Sequence, residues 1–104
     1  MKLEGLEELI VNFEKEPVKS RNEKGEELTI SRRTALLNCL GSMKASDGRE
    51  SIEVYKLGCA IAERASSTGI SAENLLLLKK AVEQNTPGYF TMIQGQLMEY
   101  LNSV

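Results

Sequence analysis

The residues able to do chemistry are few: two cysteines, Cys39 and Cys59, the neighbouring Arg32 and Arg33, a surplus of carboxylates and not one histidine. Without histidine, the commonest general base and the commonest metal ligand are both missing. No serine triad can then be assembled around Ser66, Ser67 or Thr68, which read as loop residues. Two thiols fall short of the four ligands of a structural zinc site. Both cysteines fall on apolar faces of consecutive helical stretches, so they are expected to be reduced core residues that behave as small hydrophobes. The carboxylates follow no pattern that pairs an acid with a base and are expected to be solvated. Neither an enzymatic activity nor a cofactor or metal is expected.

Arg32 and Arg33 open a helical stretch, where free backbone N–H groups and two guanidinium groups can together hold a phosphate. No glycine-rich loop precedes them, the nearest upstream glycine being Gly25, and solvent exposure is the expectation for both. The segment 50–84 offers a second route to nucleic acid, because Ala65, Gly69, Ile70, Leu75 and Leu78 follow helix-turn-helix spacing. Its would-be recognition turn holds Ala72, Glu73, Asn74 and Leu76, and Glu73 would face phosphates. With 13 basic against 15 acidic side chains and a net charge of −2, affinity for a polyanion is not expected. A small nucleic-acid-binding regulator built on this helix pair is the alternative reading.

The element that must hold the others in place is the stretch 71–84, SAENLLLLKKAVEQ, with four consecutive leucines. Wound as a helix, it spreads Leu75, Leu77, Leu78, Ala81 and Val82 over about half its circumference and gathers Glu73, Lys79, Lys80, Glu83 and Gln84 on the remainder. Ser71 suits an N-cap, and Glu73 sits near the positive end of the helix dipole. Leu76 lands among the charges and is expected to be exposed. Upstream, Ser31 or Thr29 can cap a helix through RRTALLNCLGSM, with Leu36, Cys39, Leu40 and Met43 on one stripe. The D-x-x-E pattern at 47–50 resembles a capping box and opens a helix to about Ser66. Val54, Gly58, Ile61 and Ala65 are expected on its inner face, with Tyr55, Cys59 and Ala62 beside them and small residues letting another helix approach. After Gln84, Asn85 or Thr86 as cap and Pro87 as first helical residue start a last helix. Its stripe is Phe90, Ile93, Leu97 and Leu101, flanked by Tyr89, Met92 and Tyr100, and it is expected to dock on the leucine helix.

Residues 1–30 carry five basic and eight acidic groups, making this the acidic part of the chain. Ile10, Val11 and Phe13 favour a short strand, Pro17 and Val18 start a returning segment, 20–27 is a polar loop and 27–30 a second strand. The expected fold is α+β and mainly helical: a short N-terminal β-hairpin or small sheet packed on about four helices, in a single domain over 1–104. Apolar residues at 41% and charged residues at 27% are those of an ordinary globular chain. The longest apolar run is four residues, and the acidic start lacks a secretory n-region, so a cytoplasmic protein is expected.

The order of E-P-V at 16–18, E-E-L-T-I-S at 26–31, A-L-L-N-C-L at 35–40, I-S-A-E-N-L-L-L-L-K-K-A-V at 70–82 and G-Q-L-M-E-Y-L at 95–101 resembles small accessory proteins of tailed phages and prophages. That resemblance implies a protein that binds and modulates a host or phage protein in the host cytoplasm, for instance as an inhibitor of an antiviral defence complex; a minor virion component is a further option. It transfers no site residue by position. The expected partner-binding residues come from the chain itself: Leu76 with Glu73 and Lys80 around it, and Glu26 and Glu27 on the acidic hairpin. Self-association through Leu76 is also open.

Overall fold

Local signals start each helix, and the computed structural model, which describes residues 1–21, 23–63 and 67–104, shows where they lead. In chain order the elements are β1 (Lys2–Glu4), β2 (Lys19–Arg21), β3 (Glu27–Thr29), α1 (Arg32–Ser42), α2 (Gly48–Ala62), β4 (Ser67–Gly69), α3 (Ala72–Gln84) and α4 (Thr91–Asn102). The fold is therefore α+β and mainly helical. Ser31, Asp47 and Ser71 each accept a backbone N–H three residues on, from Thr34, Glu50 and Asn74, which satisfies a donor that the first helical turn leaves open. At α2 the cap is reciprocal, because Glu50 reaches back to accept the Ser46 N–H at 3.3 Å.

The core is built around α3 and α4. Leu75, Leu78, Ala81 and Val82 of α3 and Ile93, Leu97 and Leu101 of α4 are buried together with Ala35, Leu36, Cys39 and Leu40 of α1. Leu77 is only half-buried, so the apolar arc of α3 is narrower than its composition suggests. The last helix docks on the leucine helix as expected, yet it begins at Thr91 and not at Pro87. Asn85 is the reason. It ends α3 in the left-handed conformation (φ 47°), where asparagine is tolerated, and its side chain brackets the Tyr89 backbone, accepting its N–H and donating to its carbonyl. Residues 85–89 are thereby held as a turn, and Phe90, placed at the cap, is 74% exposed instead of lying on the core stripe.

The N-terminal region differs from expectation in its pairing. The strand that forms is β1, antiparallel to β4 with Leu3 opposite Thr68, while β2 pairs with β3 in a separate two-stranded sheet. Ile10 lies between the two returning segments: its N–H donates to the Ile30 carbonyl (2.7 Å) and its carbonyl accepts from Val18 (2.9 Å). Val11 bridges Pro17, so the return at Pro17 forms, but around a tight turn in which Asn12 Oδ1 accepts from Glu14 and Glu16 and Phe13 is exposed. The Gln96 amide of α4 clips this segment, accepting the Val11 N–H and donating to its carbonyl. Leu3, Leu6 and Ile10 complete the core from this side.

Candidate interaction surface

The start of α1 cannot serve as the phosphate site its arginines suggest. The Arg32 and Arg33 N–H groups donate to the carbonyls of Glu8 and Leu6 at 2.9 Å each, so the chain's own loop fills the positive end of the helix. Arg33 is 6% exposed, contrary to expectation: its Nε donates to the Ile61 carbonyl at 2.9 Å and its guanidinium pairs with Glu7. A buried guanidinium persists only where its donors are met, and here they tie α1 to the end of α2 and to the N-terminal loop. Arg32 is half-buried, stacked 4.6 Å over the Tyr100 ring and paired with Glu8 at 2.6 Å. Gly5, at φ +69°, turns the chain under this guanidinium, and a Cβ there would come within 3.1 Å of Arg32 Nη1.

The expected partner-binding residues do not form one patch of equal standing. Leu76 is 65% exposed, as expected, with Glu73 exposed one turn before it. Lys80, however, is tied down: its Nζ donates to Glu50 Oε1 at 2.7 Å and to Ser46 Oγ at 2.9 Å, clamping α3 to the start of α2. The Lys80 ammonium, first among several hydrogen bonds, holds the Glu50 carboxyl below its ordinary value. Glu27 pairs with Lys19 across the β2–β3 hairpin at 3.3 Å and Glu26 is exposed beside it, so both carboxylates lie on the hairpin and outside α3.

A surface not singled out from the sequence is the more developed one. Helix α2 is apolar on two opposite arcs: Leu57 and Ile61 are buried, while Ile52, Tyr55, Cys59 and Ala62 form an exposed stripe at spacings of three and four. Tyr55 is 73% exposed, and Cys59, expected in the core, is exposed as well; only Cys39 is buried, and burial raises its thiol pKa above the ordinary value. The stripe edges an apolar groove of about 280 Å³ between α1 and α2, lined by Leu37, Leu40 and Val54 and open at Gly41 and Gly58. A Cβ placed at either glycine would meet no atom within 4 Å, so the close helix approach expected at Gly58 is not made within the chain. Tyr55, Cys59 and Ala62, expected beside the inner row of α2, are instead its exposed face, and the signal that could have shown this is Leu57, which with Ile61 marks an inner arc on the other side of the helix.

A larger concavity, about 510 Å³ between β1 and α4, is a poorer candidate. Lys2, Lys15, Glu4 and Glu99 all line it, and its Arg32 is already engaged, so its walls select no ligand charge. In the helix-turn-helix candidate, β4, pinned to β1, stands between α2 and α3 in place of a tight turn; Ala65, which belongs to that spacing and to the expected inner face, lies outside the described residues, as do Asn22, Arg64 and Ser66. Among the described residues, no group of three or more cysteines and carboxylates is placed to hold a metal ion, and no helix is long and apolar enough to cross a membrane. The chain matches no protein-family model, and comparison with curated proteins and with solved structures returns no match.

Proposed function

We propose that this chain is a non-enzymatic protein-interaction module of the phage or prophage accessory type, acting in the host cytoplasm on a host or phage protein complex, with inhibition of an antiviral defence complex as the specific case to test. The observation that carries this reading is the uncovered apolar surface of α2, where Ile52 and Tyr55 stand in solvent beside an apolar groove. Exposed aromatic and aliphatic side chains around a concave apolar floor, rimmed by charge, are the physical make-up of a protein contact. Leu76, amid Glu73, Lys79 and Glu83, is a second and smaller anchor. Affinity capture from host cells with mass spectrometry, repeated with Tyr55→Glu and with Leu76→Asp, tests the reading. Each substitution places a charge at the centre of one surface and leaves the melting temperature unchanged; a specific partner is expected to be lost with at least one of them. Capture of the same proteins by the parental chain and both folded variants would sink the proposal.

A further inference from the structure

We infer that the β2–β3 hairpin is an arm that opens as a unit, hinged at Val18 and Ile30, while the rest of the chain stays folded. A two-stranded hairpin is marginal in water unless a third strand, a helix or a shared apolar face supports it. This one lacks that support. Successive side chains of a strand point to opposite faces, and Glu27, Leu28 and Thr29 are all exposed, so neither face of β3 is covered. Leu28 is the one apolar side chain from Lys19 to Thr29; it is 45% exposed and takes no part in the core. The Lys19–Ser20–Arg21 run of β2 supplies no β-branched or aromatic side chain to pair across the ladder. The Lys19–Glu27 ion pair, 3.3 Å across it, is solvated on both sides and adds little.

The inner limit of the arm is sharp. Val18 and Ile30 pack against the core, and both are tied to Ile10, which is buried: the Val18 N–H donates to the Ile10 carbonyl, and the Ile10 N–H donates to the Ile30 carbonyl. Opening therefore breaks the ladder that runs from Lys19 opposite Thr29 to Arg21 opposite Glu27, and stops at this girdle. Segments with few buried contacts lie at the low end of the local stabilities of a fold, the end from which adaptable binding segments are drawn. Glu26 and Glu27, two of the expected contact residues, sit on the arm, so a partner that engages them reshapes the hairpin without unfolding the core.

Native-state hydrogen exchange of the full chain, read residue by residue by NMR, tests this. The hydrogen-bonded amides of β2 and β3 should be protected no more than about a hundredfold, and the Leu78 and Leu97 amides at least about a hundred times more strongly. Up to about 1 M guanidinium the exchange of the arm should stay constant, because its opening exposes little surface, whereas that of the core should quicken. The Val18 and Ile10 amides should follow the core. Leu28→Gly should speed exchange in the arm about fivefold and leave the guanidinium midpoint of the chain unchanged. Arm amides that share the protection and denaturant dependence of Leu78 and Leu97 would overturn the inference, as would a Leu28→Gly chain whose guanidinium midpoint falls. Arm amides with no protection at all would overturn it too, since no closed hairpin would then exist to open.

Discussion

Two leucines two positions apart on α3 give the sharpest test of how this fold is held. Leu78 has no exposed surface, whereas Leu76 is 65% exposed. Truncating Leu78 to alanine removes three buried carbons, worth about 2.4 kcal/mol at about 0.8 kcal/mol each. A cavity term follows wherever the surroundings cannot collapse, and with Leu78 set in a core that α1 and α4 share, the total should fall at about 2.7 to 5 kcal/mol. For Leu76 only about a third of the transfer term applies and no cavity forms, which predicts a loss below about 1 kcal/mol. Alanine's slightly better helix propensity reduces that further. Guanidinium melts followed by circular dichroism check the contrast, with the slope m unchanged so that midpoints report stability. Equal losses for Leu76→Ala and Leu78→Ala would refute the placement of α3, since they would mean that the helix is covered on every side.

Three other outcomes follow from particular residues. A small thiol reagent should label Cys59 rapidly and Cys39 only on unfolding, read by mass spectrometry on Cys39→Ser and Cys59→Ser chains; equal rates would contradict the orientation of α2. Thr68 is buried on β4 and its Oγ1 has no hydrogen-bond partner among the described residues, so Thr68→Val, which keeps the shape and removes the hydroxyl, should leave stability unchanged or raise it by up to about 1 kcal/mol in the same melts. A clear loss would show that the hydroxyl is satisfied. Because Lys80 lowers the Glu50 pKa in the folded chain, the Glu50–Lys80 contact stabilises above the ordinary glutamate value of about 4.3 and is lost as pH falls through the depressed folded value. The difference in melting temperature between the parental chain and Glu50→Gln should therefore be constant from about pH 7 to 5 and shrink below about 4. A difference as large at pH 3 as at pH 7 would show that the charge on Glu50 is not its source.

The residue order by itself determined the features whose causes lie within a few residues. Ser31, Asp47 and Ser71 cap their helices because each hydroxyl or carboxylate needs only the N–H three positions on. Leu78 turns inward and Leu76 outward because the helical repeat sets them on different sides of one cylinder. Only the tertiary structure decided what depends on partners distant in the chain. Helix α2 carries two apolar arcs of similar strength, and the choice between them fell to α1 and α3, which cover Leu57 and Ile61 and leave Tyr55 and Cys59 in solvent. Leu3 finds Thr68, and Arg33 is drawn into the interior, because the Glu7 carboxylate and the Ile61 carbonyl, each more than twenty residues away in the chain, arrive from either side to meet its charge. Asn85 could equally have capped a following helix; the Tyr89 backbone within reach of its side chain made it the end of α3 instead. A local pattern states which groups can be buried or bonded, and the free energy of closing each pair is settled only when the rest of the fold brings the second member.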